Sequence, residues 1–325
     1  MNQNPGIPQI GILVLNRNGK HWLAPLFESL GGNGYASLRI YLVDNASADG
    51  SVEMTLTRYP EITVIRLPQN LGYCMAYNLA MPYAIADGCE WVIWANNDIR
   101  LEPGCLANLV EASQSDLSIG VLGPAFLAWE SNEPNDYMLG NHPYTVEAMR
   151  FQSHEPIDVE WVEGSFLMVS RRCLEAVGPL DSYLYFYWED ADFCRRARFQ
   201  GWRVILVPNA LARHYAGGWS SANGQNLAQA DQLKLRNLYI YKLANPYQAF
   251  LKNFLEALHL FLVKIKESCV RDSSSIIFQL KFFLKIISEM KYIYTKWNRD
   301  RMGKSLPAIE KDILPEGLQV IKNRA

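Results

Sequence analysis

The sequence predicts an α/β protein: a mostly parallel sheet flanked by helices, with a helical extension at its C-terminal end. Three observations predict it. Short apolar runs with the composition of buried strands recur through the first two thirds of the 325 residues, separated by helix-length spacers. After about residue 226 these runs stop, and two long apolar and basic segments follow. The charge divides at the same place. Residues 1–230 carry 14 Lys and Arg against 24 Asp and Glu, whereas residues 231–304 carry 14 against 6.

The strand candidates are IGILVL (10–15), LRIYLV (38–43), ITVIRL (62–67), EWVIWA (90–95), IGVLGP (119–124), SFLMVS (165–170) and RVILVP (203–208). Between them, GKHWLAPLFESLGG (19–32) and CMAYNLAMPYAIADG (74–88) carry helical periodicity and close on Gly. Residues 250–269 and 275–297 are the two long C-terminal helical segments, and the last twenty or so residues read as a tail.

Several classes are excluded or disfavoured by composition. No apolar run reaches the roughly 18 residues of a membrane span, and the N-terminus lacks the pattern of a cleavable signal, which points to the cytoplasm. Six scattered cysteines without a C-x-x-C pair predict buried free thiols rather than a zinc site or a disulfide framework. The acidic body argues against nucleic acid. LVLNRNGKHW, after the first strand, has one Gly and no G-x-G-x-x-G turn, so an NAD-binding Rossmann unit is not expected.

Polar clusters fall where strands end. YLVDNASADGS (41–51) closes the second strand, QNLGYCMAYN (69–78) follows the third, ANNDIRLEPG (95–104) follows the fourth, and YFYWEDADFCRRARFQGW (185–202) precedes the last. Clusters at successive strand ends of one α/β domain are what a nucleotide-binding crevice requires. Turn chemistry accounts for Asn45, Asp49 and Gly50 but not for Asp44, an acid at the strand terminus itself. Glu189, Asp190 and Asp192 open a predicted helix, where free N–H groups favour carboxylates at about 0.3–1 kcal/mol each. Asp192 has Arg195 and Arg196 three and four residues on, the spacing of exposed same-face ion pairs worth about 0.3–0.5 kcal/mol.

Taken in order, ILVLNRNG, LVDNASADGS, QNLGY with Asn78, NND, VEWVEGSFLMVSRR, GPLDSYLYFYWEDADFCRRARFQGW and LARHYAGGWS resemble the blocks of inverting family 2 glycosyltransferases of the rhamnosyltransferase-like branch. They span residues 8–240, and WEDADFCRRA is also similar to a block of bacterial galactofuranosyltransferases. The resemblance implies a GT-A catalytic domain over 1–226, a basic amphipathic helical region over 227–304 and a tail over 305–325. It implies transfer of rhamnose or a related hexose from a dTDP- or UDP-sugar to a saccharide or polyprenyl-linked acceptor of bacterial surface polysaccharide, at the inner face of the plasma membrane.

By the same resemblance Asn16, Asn18, Asp44, Asn45, Asn70, Gly72, Asn78, Asn97 and Arg236 would line the donor nucleotide and its phosphates. Trp161, Gly164, Ser165 and Trp188 would face the acceptor. Asp190 would be the general base, with Glu189 beside it. NND (96–98) stands where the family has D-x-D and keeps only the Asp98 carboxylate, so a divalent cation, Mn²⁺ or Mg²⁺, would be held by Asp98 and His214, the imidazole favouring Mn²⁺. A nucleotidyltransferase and a noncatalytic carbohydrate- or membrane-binding module are the rival readings. For the basic C-terminal region two readings stay open. One puts Ile276, Leu280, Phe283, Ile287 and Met290 on a membrane-facing side opposite Lys281, Lys285 and Ser288; the other packs that face on the catalytic domain or in a homodimer.

Overall fold

A computed structural model describes residues 6–150, 152–215, 227–269, 273–306 and 315–322. The chain clusters into two units, Met1–Gln225 with Leu306–Ala325, and Asn226–Ser305.

The first unit is organised by one sheet. Strand β1 (Ile10–Asn16) is buried along all seven residues, the signature of a strand covered on both faces, and its apolar side chains each contribute about 1.5–3 kcal/mol by leaving water. It pairs in parallel with β2 (Leu38–Asp44) on one side and β4 (Trp91–Asn96) on the other, and β2 pairs in parallel with β3 (Thr63–Arg66). Helices α1 (Lys20–Gly32), α2 (Ser51–Arg58) and α3 (Gly72–Ala86) make the crossovers. β5 (Ile99–Leu101), α4 (Cys105–Ser115), β6 (Ile119–Leu127), the short α5 (Asp136–Asn141) and α6 (Pro143–Arg150), and β7 (Ile157–Asp158) follow. Then come β8 (Phe166–Ser170), α7 (Arg171–Val177), α8 (Glu189–Phe199) and β9 (Arg203–His214).

All seven strands predicted from sequence form. The sheet is nevertheless mixed. β8 runs antiparallel between β4 and β6, and β9 is parallel to β6 but antiparallel to β5 and β7. A further correction concerns residues 305–325. They are not simply a tail: β10 (Gln319–Ile321) pairs antiparallel with β3 and completes the strand order β10-β3-β2-β1-β4-β8-β6-β9-β5. Three residues are too short for periodicity to reveal.

The second unit is helical: α9 (Leu227–Leu243), α10 (Phe250–Cys269), α11 (Ser273–Ser288) and α12 (Met290–Arg301). The segment 275–297, read as one helix, breaks at Glu289, whose carboxylate is held by Arg236 at 2.9 Å. The predicted faces of α11 also change. Phe282 and Ile286 are the buried positions, while Ile277, Leu280, Leu284 and Ile287 are exposed. No helix among the described residues is long and apolar enough to cross a membrane. Cys74, Cys89, Cys105, Cys173 and Cys194 are buried free thiols.

Candidate active site

Strand register assembles the site. β1 and β2 align Asn16 with Asp44, and β4 lies beside β1 so that Asn97 donates to Asn16 Oδ1 at 2.8 Å. β4 and β8 align Ala95 with Phe166, and beyond that pair Asn96 N donates to Ser165 O at 2.8 Å, bringing NND against EGS. The short β5 aligns Ile99 with His214, which sets the His214 ring beside Asp98. Polar groups more than a hundred residues apart thus meet at the carboxyl end of the parallel strands.

The resulting chain of contacts runs across the site. His214 Nε2 lies 3.4 Å from Asp98 Oδ1, and its Nδ1 lies 2.6 Å from Glu163 Oε1. The next residue, Gly164, donates its N–H to Asp190 Oδ2 at 2.9 Å. Burial alone would lower the His214 pKa, but the Asp98 and Glu163 carboxylates outweigh it and hold the imidazole up at about 10. A Cβ on Gly164 would lie 3.1 Å from both Asp190 Cβ and the Tyr73 hydroxyl, so a larger residue would press these neighbours back by a few tenths of an ångström.

Asp190 and Glu189 are held differently. Burial raises the Asp190 carboxyl pKa, and the N–H groups of Gly164 and Ala191 oppose that rise by stabilising the anion. Glu189 is pushed well above the usual range by burial and by the Asp190 charge beside it, and its Oε2 has no hydrogen-bond partner among the described residues. The two neighbouring acids thus differ in that Asp190 has backbone N–H groups on its carboxylate while Glu189 is raised further by burial and the charge beside it. The loop that delivers them is strained: Tyr185, Tyr187 and Trp188 have φ of 62°, 71° and 69°, positions that cost about 1–3 kcal/mol each in non-glycine residues.

Much of the remaining polar set positions that loop. Asn78 donates to Leu180 O at 2.8 Å and Ser182 Oγ at 3.1 Å, and accepts from Leu180 N at 2.9 Å. Tyr73 and Cys74, at the start of α3, donate their N–H groups to Tyr185 O. Gly72 has φ +78°, and a Cβ there would lie 2.3 Å from the Tyr185 ring. Asn45 bridges to Asn70 Oδ1 at 2.9 Å and accepts from Leu71 N at 2.8 Å, buckling two strand-end turns together.

On the donor side Asp44 is fully buried. Its carboxylate accepts from Ser47 N at 3.2 Å and lies 3.5 Å from Asn16 Nδ2, with burial raising its pKa against those hydrogen bonds. Asn16 also donates to Ser47 and Ser51 hydroxyls, so both residues brace the turn. Asn18 sits at φ 50° and accepts from Ala48 N at 2.8 Å. Trp161 and Trp188 are half-buried, Trp161 edge-on to His142 with centroids 6.1 Å apart. The Ser165 hydroxyl is buried with no hydrogen-bond partner among the described residues. Arg236 lies in the second unit, paired there with Glu289 and Asn237. Residues 216–220 of the LARHYAGGWS block lie outside the described residues.

Asp192 differs from expectation. Its pairs with Arg195 at 3.3 Å and Arg196 at 2.9 Å are buried, not exposed, because α8 packs that face inward. Glu163 is the residue that sequence reasoning missed. Its only signal was its place inside the WVEG block, one residue before Gly164.

Among the described residues no group of three or more His, Cys, Asp and Glu side chains is arranged to enclose a metal. The pair Asp98–His214 would fit a cation that takes the rest of its shell from phosphate and water, once the ion displaces the Nε2 proton that the two carboxylates hold on the ring. Adjacent ligands of an octahedral ion at bonds of about 2.1–2.2 Å stand about 3.0–3.1 Å apart, so the pair, now at 3.4 Å, would close by a few tenths of an ångström to share one ion. A carboxylate on the far ring nitrogen is the usual support for a metal-binding imidazole.

Relatives and solved structures share this architecture. An N-acetylglucosaminyl-diphospho-decaprenol L-rhamnosyltransferase of Mycobacterium tuberculosis is 30% identical over 203 residues, 54% of this chain and 66% of that protein, just under two thirds of its length. GalNAc-T7, solved with UDP, GalNAc and Mn²⁺, superposes with a TM-score of 0.56 at 15% identity over 90% of this chain and 58% of its own. The mannosyltransferase PcManGT from Pyrobaculum calidifontis, in complex with GDP-Man and Mn²⁺, gives 0.52 at 17% identity over 91% of this chain and 85% of its own. The fold is GT-A. Residues 10–174, just over half of the sequence, match the model of glycosyl transferase family 2, and the chain belongs to that family.

Proposed function

We propose that the protein transfers a sugar, rhamnose or a related hexose such as galactofuranose, from a nucleoside-diphosphate donor to a saccharide or polyprenyl-linked saccharide, inverting the anomeric centre. The observation that carries this reading is the contact path Asp98–His214–Glu163, then Gly164 to Asp190, which brings a carboxylate–imidazole pair and a carboxylate with backbone N–H partners together at the strand ends. The acceptor hydroxyl attacks C1, forming the new C–O bond as the bond from C1 to the phosphate oxygen breaks. Its electron pair leaves with the nucleoside diphosphate. Asp190 takes the hydroxyl proton, which an in-line displacement releases as an oxocarbenium-like centre develops.

Asp98 and His214 would hold a divalent cation, Mn²⁺ in preference to Mg²⁺, and the ion when bound offsets the charge of the leaving diphosphate. Glu163 fixes the ring so that Nε2 faces Asp98. Asp44, Asn16, Asn18 and Asn97 shape the donor turn, with dTDP or UDP as its nucleotide. Trp161, Trp188 and the unpartnered Ser165 hydroxyl supply apolar faces and a polar contact for the acceptor. The similarity to an L-rhamnosyltransferase acting on a diphospho-decaprenol sugar supports a lipid-linked acceptor at the cytoplasmic face of a membrane, in surface polysaccharide synthesis.

A panel of dTDP-, UDP- and GDP-sugars with Mn²⁺, read by thermal shift and then by transfer, tests this. The donor should raise the melting temperature, since a ligand that binds only the native state stabilises by about 2.7 kcal/mol at a hundred times its Kd. The product should show the inverted anomer, and EDTA should stop transfer. Retention of configuration or undiminished transfer in EDTA would refute the respective parts.

A further inference from the structure

The helical unit Asn226–Ser305 carries an apolar surface that its own packing does not use. Among the described residues it holds twelve of the eighteen exposed large hydrophobic side chains, although it is the smaller unit. They form stripes. Leu251, Leu255 and Leu262 recur on α10 with exposures of 68, 55 and 55%, and Ile277, Leu280 and Leu284 on α11 with 53, 49 and 67%. Intervals of three, four and seven residues put each set on one helical face. On α11 the opposite positions, Phe282 and Ile286, are buried, so this helix is apolar on both sides.

Both stripes point the same way. Phe261 of α10 stacks on Phe283 of α11 with centroids 4.1 Å apart and planes 17° from parallel. Only residues 270–272 separate the helices, and the two rings lie at similar distances from that connection, as antiparallel neighbours require. Leu262 follows Phe261 and Leu284 follows Phe283, and one residue is about 100° of helical rotation. From a shared contact, the same step on two antiparallel helices leads to the same side. Lys252 and Lys266 on α10 and Lys281 and Lys285 on α11 are exposed at the edges of these stripes. The unit as a whole has 14 Lys and Arg against 6 Asp and Glu.

We propose that the joint α10–α11 face lies on an anionic lipid surface, its leucines and isoleucines entering the acyl boundary and its lysines meeting the headgroups. An apolar stripe bordered by cations is the pattern of a helix lying in the interfacial plane, and neither helix is long and apolar enough to cross. A two-fold dimer through the same face would set like-charged lysine edges against each other. The inference stands whatever the transferred sugar is.

Flotation of the full chain with vesicles of phosphatidylcholine alone, and with about 30% phosphatidylglycerol, tests it; anionic lipid should capture the protein and added salt should release it. Leu280→Glu with Leu284→Glu should reduce capture at least about tenfold, since charges replace side chains that enter the acyl region. Lys281→Gln with Lys285→Gln should reduce it about fivefold per lysine. Leu117→Glu, at a 79% exposed position in the other unit, should leave it unchanged. Circular dichroism and melting temperature check that each variant folds. No capture by anionic vesicles, an equal loss in Leu117→Glu, or a concentration-dependent dimer abolished by the leucine pair while vesicles stay unbound would overturn the proposal.

Discussion

Asp190 and Asp192 stand two residues apart on α8 and meet opposite surroundings. Asp192 faces inward against Arg195 and Arg196, and Arg196 is fixed further by the carbonyls of Val177 and Pro179. Asp190 lies beside the strand ends and receives backbone N–H groups from Gly164 and Ala191. A cation neutralises a carboxylate and consumes its basicity; an amide N–H orients it and leaves the charge available. The helix thus holds one acid in a buried ion pair and gives the other only backbone N–H partners, which fits the chemical role proposed for Asp190, and the difference lies in the partners rather than in the residue type.

The largest expected effect is at Asp190. Asp190→Asn keeps the size of the side chain and one of its two backbone N–H partners but cannot take a proton, so turnover should fall about 10²–10⁴-fold with donor dissociation constant unchanged. Because burial raises the Asp190 carboxyl pKa, the acid limb of the parent's rate profile should lie above the ordinary carboxylate range, with activity rising as pH rises through it. Steady-state rates across pH, with calorimetric donor binding, separate the two readouts. If Glu189→Gln loses more turnover than Asp190→Asn, the base is the other acid.

Across the helix the effect should be on stability. Removing one partner of a buried ion pair typically costs about 3–5 kcal/mol, and Asp192→Asn should sit near the low end because Arg196 keeps two carbonyl acceptors. Urea denaturation measures this. A loss below about 0.5 kcal/mol, the value for an exposed helical pair, would mean that the pair contributes as the sequence alone suggested. Specific activity per folded molecule should change little, which is the contrast with Asp190.

The same contrast explains what could be read beforehand. Strands β1, β4 and β8 were legible because they are buried on both faces and appear as unbroken apolar runs. The acid and amide clusters were legible as strand-end groups, but their partners were not, since register decides them. Asn97 reaches Asn16 only because β4 lies beside β1, and Glu163 reaches His214 only because β8 runs antiparallel to β4 while β5 aligns with the end of β9. Whether Asp192 was exposed depended on which side of α8 packs inward, and charge spacing carries no information on that. The short β5, β7 and β10 leave no periodic trace.

Asn78 gives the smallest and most discriminating test. It falls in the QNLGYCMAYN block that the family resemblance assigns to donor contact, yet its amide makes three hydrogen bonds to Leu180 and Ser182, on the loop that leads to Asp190. Asn78→Ala would leave the buried Leu180 N–H and C=O without these partners, at about 1–3 kcal/mol for each group left unsatisfied, so stability should fall by a few kcal/mol at most. Donor affinity should not change. Turnover should fall modestly, because the 180–188 loop would hold Asp190 less firmly, and Asn78→Asp, which sets a buried carboxylate oxygen against the Leu180 carbonyl in place of an N–H donor, should recover none of the stability at neutral pH. Denaturation and donor titration on the three proteins give the answer directly. A tenfold weaker donor complex with unaltered stability would make Asn78 a ligand contact, and the line drawn here between groups that hold the loop and groups that meet the substrate would have to move.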